Sequence, residues 1–147
     1  MFKHILIPTD GSELSIRAAA AGIEMAKKSR AKITALFVAP PPTPMIYGKF
    51  MPVGYMTPDE HAELIQRTAS EYLGVIENAA KQAGVAIECV TVTSDFPADE
   101  IVKAADERKV DLIFMASHGR RGISAVLLGS ETQKVLTHTT RPVLVYR

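Results

Sequence analysis

Residues 110–134, VDLIFMASHGRRGISAVLLGSETQK, decide the fold. The stretch begins with a mostly apolar run, VDLIFMAS, which is typical of a strand that is buried on both faces of a parallel sheet. A glycine-rich loop follows, and a helix is predicted over Ser130–His138. A strand, a loop and a helix in this order predict an α/β fold, and in such folds ligands bind at the carboxyl ends of the strands.

The same alternation of strand and helix extends over the rest of the chain. Short apolar or β-branched runs predict four more strands, at residues 5–7, 32–39, 85–93 and 142–147. Stretches with helical periodicity lie between them, at residues 13–30, 58–83 and 97–108. Because alternating strands and helices are joined by right-handed crossovers, the chain is predicted to form a three-layer α/β/α sandwich around a parallel sheet. The polar interruptions in the strand at 85–93 favour an edge position.

Local signals mark where two of the helices begin. Ser12 is placed to cap the first helix, and Thr57 is placed to cap the second, where Glu60 completes a capping box. Three residues at helical spacing predict the buried face of the first helix: Ile16, Ala20 and Ile23. Residues 40–56 are rich in proline and lack periodicity, which predicts a long surface loop.

The bulk composition predicts one globular domain that spans residues 1–147. A net charge of +1 produces no long-range field, so neither nucleic acid nor a membrane surface is expected as a partner. The single cysteine, Cys89, excludes a disulfide within the chain and suits a reducing compartment. The first residues contain too short an apolar run for a signal peptide or a membrane span, and we expect a cytoplasmic protein.

Patterns typical of catalytic or metal sites are missing from the sequence. The histidines His4, His61, His118 and His138 lack the spacing of metal ligands, and only His118 lies in the glycine-rich loop. No serine stands in a nucleophile-elbow pattern, and no pair of carboxylates is evident as acid and base. The sequence therefore favours binding over rapid turnover, and it leaves the identity of any metal ion open.

Three segments follow the carboxyl ends of predicted strands and are candidates for a ligand site: PTDG at 8–11, VAPPP at 38–42 and the glycine-rich loop. In that loop, Gly119 and Gly122 permit the close approach of a ligand or a neighbouring backbone. Gly129 and Ser130 lie at the start of the last helix, where free N–H groups and the helix dipole favour an anion. A chain of phosphates is expected to fit between these two pairs.

The same residues also have interpretations that involve no ligand. Ser130 stands at capping-box spacing from Gln133 and is placed to cap its own helix. Arg120 and Arg121 either pair with phosphate or point into solvent. Asp10 either accepts hydrogen bonds from a ribose or adenine group or forms an Asx-turn ahead of the first helix.

The spacing of the loop residues resembles the ATP-binding motif of the universal stress protein family. That motif is Gly, two residues, Gly, nine residues, and then Gly followed by Ser or Thr. Here Gly119, nine residues and Gly129-Ser130 match its last parts, and Ala116 occupies the first position. The resemblance extends from ILIPTDGS, which begins at Ile5, to RPVLVYR at the end of the sequence.

The resemblance implies both a fold and a ligand. The fold is an adenine nucleotide hydrolase-like sandwich with a five-stranded parallel sheet of strand order 3-2-1-4-5. The ligand is ATP or another adenine nucleotide, with or without Mg2+; the backbone of Val38 would face the adenine, and the side chain of Glu131 is expected to point into solvent. The nucleotide-binding residues that the resemblance implies are Pro8, Thr9, Asp10, Val38, Ala116, Ser117, His118, Gly119, Arg120, Arg121, Gly122, Gly129, Ser130, Glu131 and Thr132.

The resemblance also implies how the protein works. Family members commonly pair through the last strand, and because PVLVY at 142–146 is apolar on both faces and would be an exposed edge, a homodimer is predicted. We expect an ATP-binding stress-response or signalling module with at most slow ATP hydrolysis, in which the nucleotide changes the loop at 40–56 and the choice of an unknown protein partner. The alternative is a nucleotide-free dimeric adaptor whose pocket is closed by Ala116. A third hypothesis is an enzyme that uses ATP to activate a substrate.

Overall fold

The computed structural model describes residues 1–42, 56–120 and 127–147. Most of the predicted loop at 40–56 lies outside the described residues, as do Arg121 and Gly122 of the predicted site. The elements in chain order are β1 (His4–Thr9), α1 (Glu13–Ser29), β2 (Lys32–Ala39), α2 (Pro58–Gln82), β3 (Ile87–Thr93), α3 (Pro97–Glu107), β4 (Leu112–Ala116), α4 (Ser130–His138) and β5 (Val143–Tyr146).

The five strands form one parallel sheet in the order β3-β2-β1-β4-β5. Helices α1 and α2 cover one face, and α3 and α4 cover the other. Both the predicted three-layer architecture and the strand order are confirmed. The strand at 85–93 was predicted at an edge, and β3 lies there.

Side chains of the central strands alternate between two apolar cores because successive residues of a strand point to opposite faces. Ile5 and Ile7 of β1 pack against α1 and α2, whereas Leu6 packs against α3 and α4. All three are fully buried, and each such side chain contributes roughly 1.5–3 kcal/mol relative to an exposed one. Burial on both faces explains why the central strands read as continuous apolar runs.

Helix α1 buries a face of small side chains that differs from the predicted one. Ile23 is buried as expected, but Ile16 is 37% exposed and Ala20 also faces solvent. The buried face is instead formed by Leu14, Ser15, Ala18, Ala19, Gly22, Ile23 and Ala26. Small residues let the helix lie close to the sheet, so tight packing against β1 and β4 outweighs the exposure of one isoleucine.

The ends of the elements follow local chemistry. Ser12 accepts a hydrogen bond from the backbone N–H of Ser15 (3.2 Å), and Thr57 and Glu60 exchange both bonds of a capping box (3.2 and 2.7 Å), as predicted. Strand β1 extends beyond its predicted end to include Pro8 and Thr9. Strands β3, β4 and β5 are each shorter than their predicted ranges.

Candidate functional site

The candidate site is the crevice that open α/β folds form at the carboxyl edge of the sheet where the strand order reverses, which in this chain is between β1 and β4. The register of these two strands runs from Ile5 opposite Leu112 to Leu6 opposite Ile113. Beyond those pairs, β1 continues along β2 as far as Thr9, and β4 continues along β5 as far as Ala116. The strand order reverses at this point of the sheet, which is where ligands bind in open α/β folds.

Asp10, which follows β1, joins the two sides of the crevice. One carboxylate oxygen, Oδ1, accepts a hydrogen bond from the backbone N–H of Ser12 (3.0 Å) and forms the Asx-turn ahead of α1. The other, Oδ2, accepts the backbone N–H of Arg120 from the loop after β4 (2.7 Å). The Asx-turn is therefore present, and the same side chain also connects two of the three predicted site segments.

The environment of Asp10 favours its ionised form. Burial by itself would raise the pKa of the carboxyl group, because a charge is less stable away from water. Hydrogen bonds from Ser12, Arg120 and Ser15 outweigh that effect and lower the pKa below its usual value. The crevice thus carries a negative charge on the β1 side at neutral pH.

The glycines at 119 and 129 are required by close contacts rather than by turn geometry. A methyl group added to Gly119 would collide with Oδ2 of Asp10. One added to Gly129 would lie 3.0 Å from Cα of His118 and 3.2 Å from the carbonyl oxygen of Ser117. Each glycine therefore lets the loop lie against a backbone or carboxylate that any larger residue would displace.

Helix α4 begins beside this loop without a side-chain cap. Its N-cap is Gly129, whose N–H donates to the carbonyl oxygen of Ser117 (2.7 Å), and Ser130 is the first helical residue. The prediction that Ser130 caps the helix together with Gln133 is wrong, since Gln133 instead donates from Nε2 to the carbonyl oxygen of Leu128 (2.8 Å). Glycine occupies the cap because the close contact with the backbone of His118 leaves no room for a serine there. Uncapped N–H groups at a helix N-terminus favour an anion.

Two other predicted residues of α4 make hydrogen bonds to neighbouring elements through their side chains. Glu131 was expected to point into solvent, but Oε2 accepts the backbone N–H of Ala98 at the start of α3 (2.9 Å). Its Oε1 also pairs with Nζ of Lys134 (3.2 Å). The buried Thr132 donates from Oγ1 to the carbonyl oxygen of Ala116 (3.0 Å), which joins α4 to the end of β4.

The residues at the end of β4 line the base of the crevice. Ala116 and Ser117 are 8% and 3% exposed. The backbone N–H of Ser117 donates to the carbonyl oxygen of Tyr146 on β5 (2.7 Å), and its hydroxyl lies 3.1 Å from Nδ1 of His118. The half-buried His118 is the histidine of this region, as the sequence indicated.

Arg120 makes contacts that the sequence did not predict. Its Nε donates to the carbonyl oxygen of Asp10 (2.9 Å) and its Nη2 to that of Gly11 (3.2 Å). The guanidinium carbon lies 5.0 Å from the centre of the Tyr72 ring, a cation–π distance. Tyr72 lies on α2, far from the glycine-rich loop in sequence, and its position beside the crevice carries no local sequence signal.

Comparisons with known proteins agree with this geometry. The model of the universal stress protein family matches residues 1–147. The chain belongs to the universal stress protein family. It is 32% identical over 151 residues to the universal stress protein MJ0531 of Methanocaldococcus jannaschii, covering 100% of this chain and 83% of that protein. It is 33% identical over 152 residues to the universal stress protein YxiE of Bacillus subtilis, covering 100% of both.

A solved universal stress protein in complex with cAMP superposes on this chain with a TM-score of 0.70 and 26% identity, covering 99% of this chain and 97% of that one. The family resemblance in the sequence is therefore confirmed, and some relatives in the fold family hold adenine nucleotides. Ala116 departs from the family motif at the base of the crevice, where its carbonyl oxygen accepts the Thr132 hydroxyl.

Val38 lies on the β2 side of the same edge in this universal stress protein. The last register pair between β1 and β2 joins Thr9 to Phe37, so Val38 is one residue beyond it, while on the other side Val38 pairs with Val92 of β3. The chain thus brings together Pro8, Thr9, Asp10, Ala116, Ser117, His118, Gly119 and Arg120 at one edge, with Val38 beside them and α4 opening from Gly129.

Among the described residues, no group of three or more His, Cys, Asp or Glu side chains is placed to hold a metal ion. Within those same ranges, no helix is both long enough and apolar enough to cross a membrane.

Proposed function

We propose that this universal stress protein binds ATP, or another adenine nucleotide, in the crevice between β1 and β4. The observation that carries the proposal is the pair of close contacts at Gly119 and Gly129, which place two glycine backbones and the uncapped start of α4 on one side of the crevice. The Gly129 N–H already donates to Ser117, so the uncapped N–H groups of the first turn of α4 are the phosphate donors in this proposal, and they need no positive net charge.

In this proposal the nucleotide extends from β2 to α4. The adenine lies beside the backbone of Val38, and the ribose lies near Thr9 and Asp10, whose ionised carboxylate accepts a hydroxyl group. The phosphates reach from Gly119 to the N-terminus of α4. Mg2+, where present, would be held mainly by phosphate oxygens and water, which is its usual preference.

The comparisons support an adenine nucleotide in preference to other phosphates. A solved family member that is 26% identical to this chain over nearly its whole length was determined in complex with cAMP. The shared fold, together with the glycine spacing of this chain, supports an adenine site in the corresponding crevice. A carboxylate pair that would activate water is not evident around the crevice as described, so we propose that hydrolysis is slow or absent.

Titration calorimetry with ATP, with and without Mg2+, tests the proposal. Gly129→Val should abolish binding, because its side chain would displace the backbone of His118. Gly74→Val is the matched control, since nothing lies within 4 Å of a Cβ at that position of α2. Absence of binding by the unmodified protein at millimolar ATP would contradict the proposal, as would equal binding by the two variants.

One observation favours a second candidate, the nucleotide-free adaptor. The polar groups that face the crevice already have partners within the protein: Asp10 bonds Ser12 and Arg120, and Arg120 bonds Gly11. A site that is satisfied without ligand is compatible with a closed pocket above Ala116. Mass spectrometry of small molecules released from freshly purified protein separates the candidates, because the adaptor should release no adenine nucleotide.

We further propose a homodimer that forms through β5. The strand lies at the edge of the sheet, and all four of its residues are only half-buried. An unpaired apolar edge is a liability that pairing with a second copy removes. In this proposal the dimer is a cytoplasmic signalling module that selects an unknown protein partner. A cytoplasmic location suits the free thiol of Cys89, because a reducing compartment keeps thiols reduced.

A further inference from the structure

Arg120 is held by four contacts on the rim of the proposed nucleotide site. Its backbone N–H donates to Oδ2 of Asp10 (2.7 Å), and its guanidinium donates to the carbonyl oxygens of Asp10 (2.9 Å) and Gly11 (3.2 Å). The same guanidinium lies over the ring of Tyr72, 5.0 Å from its centre. An exposed arginine has many rotamers, so this arrangement reflects several partners acting together.

Tyr72 is itself held from three sides. Its ring lies against Gly11, whose φ of 74° is in the left-handed region and where a Cβ would collide with the ring. On the β2 side the ring makes an edge-to-face contact with Phe37, with centroids 5.3 Å apart. The third neighbour is Arg120. The ring therefore links α2, β2, the turn after β1 and the loop after β4.

We propose that Arg120 is a positioning residue and not a phosphate ligand. Together with Asp10, Gly11 and Tyr72 it forms a clamp, the Arg120 clamp, that holds the loop after β4 against the turn after β1 and against α2. The clamp keeps Gly119 in its close contact with Asp10 and so pre-forms the crevice for the whole nucleotide. This inference rests on the proposed nucleotide binding.

The partners of the guanidinium argue against a direct phosphate contact. To reach a phosphate, Arg120 would have to release two carbonyl oxygens and the face of an aromatic ring. Those contacts need no ligand, and they involve the planar fork and the ring stacking that distinguish arginine from lysine. A clamp of this kind acts on any ligand of the crevice, charged or not, whereas a phosphate ligand acts only on nucleotides that carry phosphate.

The experiment compares adenosine with ATP. In titration calorimetry, Arg120→Gln should weaken the binding of both ligands by the same factor, about tenfold, from the loss of two hydrogen bonds and one cation–π contact. Tyr72→Leu should weaken the binding of both ligands similarly. Tyr72→Phe keeps the ring and should bind both ligands as tightly as the unmodified protein does. Arg120→Lys should bind both ligands almost as weakly as Arg120→Gln, because lysine lacks the planar guanidinium fork of arginine. If ATP alone loses affinity, Arg120 is a phosphate ligand and the proposal is wrong.

A second measurement does not depend on ligand. In the free protein, amide hydrogen exchange by NMR should show faster exchange of the residue 120 N–H in Arg120→Gln and Tyr72→Leu than in the unmodified chain. Arg141→Gln is the matched control, since it removes an exposed arginine paired with Asp106 (3.1 Å) at the opposite edge of the sheet. Unchanged exchange in all variants would overturn the clamp. If the unmodified protein binds neither ligand but exchange responds as expected, nucleotide binding is disproved and the clamp stands.

Discussion

His4 is a single residue that makes the stability of this fold depend on pH. It is 8% exposed at the start of β1, and its Nε2 lies 2.8 Å from Oγ1 of the buried Thr34. Burial, and then the charge of Lys32, lower the pKa of His4 below 6.5, although a backbone hydrogen bond at Arg108 and the charge of Asp111 oppose the shift. The folded protein therefore holds His4 neutral where an unfolded chain would already protonate it.

The sign of the resulting pH dependence follows from linkage. As the pH falls through 6.5, the unfolded chain takes up the proton first, so the free energy of unfolding should decrease until the lower pKa of the folded state is reached. The slope due to this one group is at most about 1.4 kcal/mol per pH unit. Urea unfolding measures the effect between about pH 8 and pH 5, a range that includes the ordinary histidine pKa of about 6.5. The variant His4→Gln should show a smaller slope, and equal slopes would contradict the assignment.

At the scale of elements, Glu131 connects the two helices on one face of the sheet. The N-cap of α3 is Phe96, which makes no side-chain capping bond, and Pro97 follows it. The carboxylate of Glu131 on α4 accepts the next N–H, that of Ala98 (2.9 Å), and places a negative charge at the positive end of the α3 dipole.

Removing that contact should destabilise the fold by about 1 kcal/mol, the usual cost of losing a helix cap. The test is the free energy of unfolding of Glu131→Ala from chemical denaturation. Glu131→Gln keeps an acceptor and should lose less. Glu77→Ala, which removes only an exposed pair with Lys81 (2.9 Å), is the control and should change stability by a few tenths of a kcal/mol at most. A loss in Glu131→Ala no larger than in the control would show that the cap is not needed.

At the scale of the whole molecule, β5 forms one edge of the sheet, and the proposed second copy of the chain would pair there. The carbonyl oxygens of Pro142 and Tyr146 accept hydrogen bonds from Ile113 and Ser117 on the β4 side (2.9 and 2.7 Å). Because backbone groups of alternate residues point to opposite sides of a strand, Val143 and Val145 direct theirs toward the open edge. That edge is where the proposed partner copy would pair.

Val145→Pro should therefore convert the proposed dimer to a monomer while the domain stays folded, because it removes an outward N–H and no bond to β4. Analytical ultracentrifugation measures the mass, and circular dichroism reports the fold. Leu144→Pro is the contrasting variant, since it should disturb the pairing with β4 and lower the melting temperature. A dimer that persists in Val145→Pro would place the interface elsewhere.

Local signals in the sequence were sufficient for the architecture. The apolar runs, the caps at Ser12 and Thr57 and the alternation of strand and helix depend on residues a few positions apart, and they predicted the layers of the sandwich. The family resemblance supplied the strand order, whereas the glycine-rich loop by itself indicated Gly119 and Gly129 as candidates. The buried face of α1 was predicted wrongly because which residues of a helix are buried depends on how closely it lies to the sheet.

Tertiary structure alone decided the details of the crevice. Gly129, not Ser130, is the N-cap of α4 and makes a close contact with the backbone of His118, and Glu131 caps a different helix. Tyr72 meets Arg120 only after α2 packs beside the turn that follows β1. Periodicity and turn chemistry in the sequence determined the fold class and the place of the site, because those signals are local. The partners of each site residue come from distant elements, so only the packed sheet and helices specify them.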